Sequence, residues 1–213
     1  MKSIFLSYYI NENTPTYGGE ANLISIESIR SIKKGDNSNN SRISFPSHIG
    51  THIDFPFHFS SEGKKCDDYP ASFWVFNKVG FLNCSIENIS FEIEIIDTDI
   101  EILIIRTGFG ECRGGEDYWK SQPVIPADLA FVLRKRFPYL RVFGFDMISL
   151  TSKLDRMEGK LAHINFLIEN EILILEDMKL TEITTTMPNR VIISPLQVAG
   201  LDGTPCTVFG FYD

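Results

Sequence analysis

The chain has 213 residues, 43% hydrophobic and 23% charged, with a formal net charge of −8. That suffices for one domain, 1–213, with a sizeable core, and the acidic balance argues against nucleic acid or an anionic membrane surface as partner. No run reaches the ~18 apolar residues of a membrane span, the N-terminus turns polar too soon for a signal peptide, and Cys66, Cys84, Cys112 and Cys206 lack paired spacing, so they read as reduced thiols of a cytoplasmic protein.

In chain order, residues 3–10 are β-rich and predict a first strand. Residues 11–20 hold Pro15, Gly18 and Gly19 and predict a loop, with Tyr17 in its middle. Residues 22–32 mix isoleucines with polar residues and suit a second strand. The polar run 33–42 predicts a solvated hairpin turn.

The stretch Ser47 to Phe59 then carries three of the four histidines in the sequence. His48, Gly50, His52, Asp54, Pro56 and His58 share one parity; Ile49, Ile53, Phe55, Phe57 and Phe59 share the other. This alternation predicts an extended segment with two unlike faces. Three imidazoles and a carboxylate on one face are ligand chemistry for Zn, Mn or Fe. In a straight strand His48 and His52 would stand ~13 Å apart, at ~3.3 Å per residue. Two ligands ~2.0–2.2 Å from one ion cannot be so far apart. A shared ion therefore requires the chain to curl, and Gly50 lies midway with no Cβ to obstruct it. Pro56 cannot donate to a ladder, which assigns this piece to an edge, a bulge or a loop beside a sheet.

Residues 60–69 predict a polar loop, 70–76 a short helix or aromatic wall around Trp74, and 78–89 a strand. The apolar run 101–108 suits a strand buried on both faces. Residues 126–136 form the clearest helix, with Pro126 at its start and cations in its last turn. Residues 141–146 return as a strand, and this order implies a right-handed crossover and a partly parallel sheet, hence an α/β fold. Asp146 and Ser149 follow at the carboxyl end, where sites in such folds form. His163 precedes a short helix over 164–171. Residues 172–176 make a buried strand ending in Glu176, which is either a solvated strand end or a ligand. Residues 191–196 and 208–211 predict closing strands joined by a turn at 200–205.

The string His48-x-Gly50-Thr51-His52-x-Asp54-x-Pro56-x-His58-Phe59, preceded by Ser47, resembles the signature of the cyclase-like metal-dependent hydrolases, the family of bacterial kynurenine formamidase and isatin hydrolase. Weaker similarities run through Arg106-Thr107-Gly108-Phe109 and through Gly144, Asp146 and Ser149. The resemblance implies a mixed, barrel-like sheet with few flanking helices, of the swivelling β/β/α type. It implies that His48, His52 and Asp54 ligate metal, that Asp54 bridges two ions, and that His58 is the proton donor and acceptor. It further implies that His163 holds the second ion, that Glu176 bridges the pair and assists proton transfer, and that Tyr17 lines the substrate pocket; packing of Tyr17 over its own turn is the alternative. The interval from His163 to Glu176 is one residue longer than the family's commonest one, and Thr207 stands where the family usually has an Arg.

The activity so implied is hydrolysis of a small amide or formamide, kynurenine formamidase-like, with metal-bound hydroxide as nucleophile. The cofactor is a divalent metal, Zn with Mn as the alternative, at two ions per chain, and the assembly is a homo-oligomer, dimer or tetramer. A lactam or lactone hydrolase, or a cyclase, would use the same metal core. A non-catalytic protein with a structural metal is the reading from a different class, and closed structural zinc sites favour Cys, which the motif lacks.

Overall fold

The computed structural model describes residues 2–183 and 186–212. Its strands are β1 Lys2–Phe5, β2 Ser25–Arg30, β3 Asn40–Ser44, β4 His52–Asp54, β5 Val75–Phe76, β6 Val79–Asn83, β7 Ile102–Arg106, β8 Val142–Phe145, β9 Leu173–Glu176, β10 Arg190–Pro195 and β11 Gly203–Tyr212. Nine of them form one sheet in the order β5-β10-β11-β4-β9-β8-β7-β6, with β1 also on β11. The two ends of that path, β5 and β6, are joined by Asn77 and Lys78 alone. The sheet therefore bends round on itself into a nearly closed, barrel-like wall.

Strands β6, β7, β8 and β9 pair in parallel, because a helical segment returns the chain between each pair. Those segments are the turns over 86–95, the helix Leu129–Arg136 and the helix Arg156–Ile164. The remaining pairings of the large sheet are antiparallel. The expectation for β7 holds: Ile102, Leu103, Ile104 and Ile105 are all fully buried. The helix Leu129–Arg136 ends in Arg134, Lys135 and Arg136, and Arg134 donates to the Asn170 carbonyl just before β9. The favourable cation at a helix end thus also fixes the helix to the sheet.

Several sequence-based boundaries are corrected. The first strand stops at Phe5, and β6 stops at Asn83. Ile86, Ile89 and Ile93 continue past it at spacings of three and four, and all three are buried on one side of helical turns. That is helical periodicity rather than the period of two of a strand. Gly203–Pro205 belong to β11 instead of a turn. Of the three places that Pro56 allowed, the structure shows the loop beside a sheet: β4 is central, between β11 and β9, and Pro56 opens the 3-10 turn Pro56–His58 after it. His163 lies near the C-terminus of the helix Arg156–Ile164, which begins before the predicted span, and the helical turn Asn165–Glu169 follows it. Asp155 caps that helix by accepting from the Glu158 amide, the pattern of an acidic N-cap.

Helix Arg156–Ile164 runs into a π turn, Asn165–Glu169, in which the Asn170 amide reaches back to the Asn165 carbonyl. A π turn takes up one residue more than an α turn, which accommodates the longer His163–Glu176 interval between helix and strand. Strands β2 and β3 form a separate hairpin, as the polar run 33–42 predicts. Among the described residues no helix is long and apolar enough to cross a membrane.

Candidate metal centre

Strand register builds the centre. On β4, His52 and Asp54 are two residues apart and face the same way. Across the ladder His52 lies opposite Glu176, the last residue of β9. On the other side Asp54 lies opposite Gly203, the first residue of β11. Ile53 and Leu175, paired on the opposite face, are fully buried in the core. Gly50 has φ +59, a left-handed turn that L side chains rarely adopt. That turn curls the chain as the ligand distance demands and brings the His48 and His52 ring centroids to 5.2 Å. His163 arrives from the helix Arg156–Ile164, so the five residues come from four separate segments.

Most distances among these groups leave room for a cation; the contact of His48 Nδ1 with Asp54 Oδ1, at 2.8 Å, is a hydrogen bond. His52 Nε2 is 3.3 Å from Glu176 Oε2 and 3.5 Å from Asp54 Oδ1. His163 Nε2 is 3.5 Å from Asp54 Oδ2 and 3.7 Å from Glu176 Oε1. These exceed the usual 2.7–3.2 Å of an N–H···O bond. They match the ~3.4 Å edge of a tetrahedron whose corners lie ~2.1 Å from a central ion. The ligand atoms of His52, Asp54 and Glu176 all lie within 4.8 Å of one another, as do those of His48, Asp54 and His58, and Asp54 belongs to both sets. The donor set of imidazoles and carboxylates fits a divalent metal.

The ring nitrogens pointing away from the centre are anchored. His52 Nδ1 donates to the Gly50 carbonyl at 2.8 Å, and His163 Nδ1 to the Gly159 carbonyl at 2.8 Å. Such outer partners fix the tautomer that leaves Nε2 for a metal. Glu176 accepts from the Leu150 amide at 2.5 Å and the Ser149 hydroxyl at 3.2 Å. The next residue, Asp177, adopts φ 51 and is clamped by Arg113 through three close contacts and by the Tyr118 hydroxyl. Asp146, by contrast, turns away and accepts from the amides of Thr107, Gly108 and Gly110.

Burial opposes charge here, but the pairing outweighs it. Asp54 is held well below the usual carboxylate range by His163 and His48 despite its burial. Glu176 is lowered by His163 and His52 against burial and the neighbouring Asp54 charge. Burial lowers His48 and His163, yet the carboxylates beside them push His48 up to about 9 and His163 up to about 10.

The centre opens into a cavity of about 300 Å³ lined by His48, His52, Asp54, His58, His163 and Glu176 on its polar side. Pro15, Tyr17, Phe59 and Ile148 form its apolar wall. Tyr17 therefore faces the cavity, and Phe59 stacks on His163 with centroids 4.6 Å apart. His58 also lines the cavity; its Nδ1 is 2.9 Å from Asp202 Oδ2. Asp202 escaped the sequence reading. It lies 154 residues from His48 and 144 from His58, in a glycine-flanked turn like any solvated one. Burial raises its carboxyl, but His48 and His58 hold it below its ordinary value.

The family model described as "Putative cyclase" matches residues 4–152, and the chain belongs to that family. Kynurenine formamidase of Bacillus cereus is 29% identical over 209 residues, 95% of this chain and 93% of that protein. Kynurenine formamidase of Geobacillus thermodenitrificans is 25% identical over 206 residues, 95% of this chain and 93% of the relative. Among solved structures, isatin hydrolase A from Labrenzia aggregata bound to benzyl benzoate superimposes with a TM-score of 0.81 at 19% identity, covering 100% of this chain and 94% of the other. A potential metal-dependent hydrolase with cyclase activity gives 0.76 at 21% identity, covering 98% and 96%. These structural likenesses establish the fold.

Proposed function

We propose that the protein is a metal-dependent hydrolase that cleaves the C–N bond of a small aryl formamide or related amide, with N-formyl-kynurenine as the leading substrate. The observation that carries this reading is the convergence of Asp54 and Glu176 with His52 and His163 around a cation-sized gap at the floor of an open cavity. The identity to kynurenine formamidases along nearly the whole chain supports the formamide class.

In this reading His48, His52, Asp54 and Glu176 would hold one ion, and His163 with Asp54 and Glu176 would hold a second. Zn suits the set, with Mn as the alternative. When bound, the metal supplies Lewis acidity, which acidifies water and polarises a carbonyl oxygen. The chain's own residues supply the rest. With His58 Nδ1 occupied by Asp202, Nε2 is the nitrogen left to take a proton from the attacking water and pass it to the leaving amine. One water is consumed, the C–N bond breaks, and formate and the free arylamine leave. Tyr17, Phe59, Pro15 and Ile148 offer an apolar wall for the aryl ring. A purely structural metal is less well supported, since the donors face an open cavity and include no Cys.

The test is hydrolysis of N-formyl-kynurenine by protein loaded with Zn²⁺ or Mn²⁺, repeated after EDTA treatment and with His58→Ala. Activity that survives both rejects the mechanism. Turnover of cyclic amides alone moves the substrate class to lactams. The same family reading includes a homo-oligomer, dimer or tetramer. Supporting it, the β2–β3 hairpin leaves Ile26, Ile29, Ile32 and Ile43 exposed at 43, 50, 58 and 61%, an apolar surface of the kind that interfaces cover.

A further inference from the structure

We propose that Asp202 is a positioning residue that sets His48 and His58 together, through one carboxylate oxygen shared between their rings. Its Oδ2 lies 2.9 Å from His48 Nε2 and 2.9 Å from His58 Nδ1. An ionised carboxylate only accepts, so both of those nitrogens carry protons.

The consequences for the two rings differ. His48 Nδ1 points toward the centre and donates to Asp54 Oδ1 at 2.8 Å, a proton that a bound metal would replace. His48 thus offers a metal the opposite nitrogen from His52 and His163, whose Nδ1 atoms are tied to backbone carbonyls. His58 keeps Nε2, the nitrogen that Asp202 does not hold, for the part of a base. The rings sit with centroids 4.1 Å apart, so one acceptor can serve both. Asp202 is itself fixed. Its Oδ1 accepts from Ser47 at 3.3 Å, and its carbonyl accepts from the Phe55 amide at 2.9 Å. The turn before β11 is thereby tied to both ends of the histidine stretch. Histidines held by carboxylates in this way gain basicity and a fixed orientation.

This inference rests on the proposed metal centre, and its test separates the two. Full-length protein, wild type and Asp202→Asn, is loaded with Zn²⁺, and the ring tautomers of the four histidines are read by long-range ¹H–¹⁵N correlation. In the wild type, His58 is protonated at Nδ1 and His48 at Nε2. In Asp202→Asn both lose that fixed state, while His52 and His163, anchored by Gly50 and Gly159, keep theirs and report an intact fold. Asp202→Ala must repeat the result. Zn²⁺ binding, measured by competition with a chromogenic chelator, weakens about 10–100-fold. On an aryl formamide, kcat falls by about the same factor with KM nearly unchanged, as for a group acting through the base rather than on substrate. Unaltered tautomers at His48 and His58 in both variants overturn the proposal. The tautomer change together with weakened Zn²⁺ binding, in a protein that hydrolyses no amide, upholds it and sinks the hydrolase reading alone.

Discussion

Gly203 packs against the flat of the His48 ring so closely that a Cβ in its place would stand 2.3 Å from Cε1 and 2.7 Å from Nε2. His48 cannot retreat without losing both Asp54 and Asp202. Gly203→Ala therefore displaces the imidazole rather than the strand. The folding cost is about 1–3 kcal/mol, typical of overpacking. Metal affinity falls about 10–100-fold, as when the support of a ligand is lost. Denaturant melts and chelator competition measure the two effects; unchanged metal affinity would show that His48 is not a ligand.

Gly159 does for His163 what Gly203 does for His48. A Cβ there would meet the Thr151 backbone at 2.6 Å, and its carbonyl anchors His163 Nδ1. In a helix interior Gly→Ala ordinarily gains about 1 kcal/mol. Here the contact is with backbone, which cannot rotate aside, so the clash wins. Gly159→Ala should lower the melting temperature and weaken metal binding, whereas a rise in melting temperature would mean the helix moves freely off Thr151.

What was legible in the sequence follows a physical boundary. The alternation of residues 48–58 and the need for a curl at Gly50 rest on local geometry, and the φ of +59 at Gly50 meets that need. The buried run 102–105 announces a central parallel strand in the same local way. Asp202 is different: only the pairing of β4 with β11 brings it to His48, and no local pattern marks that ladder. The helix before His163 had a signal, Asp155 followed three residues later by Glu158, but Gly159 inside it weakens the periodicity. Pro56 left three places open, because a missing donor marks only where a ladder cannot continue; the fold puts it in the turn two residues past the central strand.

The role given to His58 separates rate from binding. It lines the cavity beside the buried His52, Asp54, His163 and Glu176, so His58→Ala should leave bound metal per chain unchanged while kcat drops by about 10²–10⁴, the range for loss of a general acid–base. Metal analysis of the purified variant against its turnover decides this. Loss of metal in proportion to activity would make His58 a ligand, consistent with its nearness to His48 and Asp54.

Ile26 and Ile43 are cross-strand partners on the hairpin and both are exposed. If they meet a second copy, the double variant Ile26→Lys/Ile43→Lys places charge in an apolar contact and should shift the protein to smaller assemblies in light scattering, with the fold intact by circular dichroism. A wild-type protein already monomeric at micromolar concentration would remove the oligomer proposal.

The histidines also fix how the metal-free protein responds to pH. His48 and His163 titrate near 9 and 10 in the fold, against ~6.5 for an unfolded histidine. The folded state binds their protons more tightly, so their contribution to stability is complete below pH ~6.5 and is lost as pH rises through 9 to 10. Asp54 and Glu176 act oppositely: their folded values are depressed, and their contribution disappears only in acid. The melting temperature of EDTA-treated protein should therefore fall steadily between about pH 6.5 and 10. A metal must displace protons from these rings, so its binding releases protons and strengthens over the same interval. Calorimetric melts of metal-free protein across that range, paired with metal titrations in buffers of different ionisation enthalpy, measure both trends. A metal-free melting temperature that climbs toward pH 10 would contradict the paired-imidazole account of the centre.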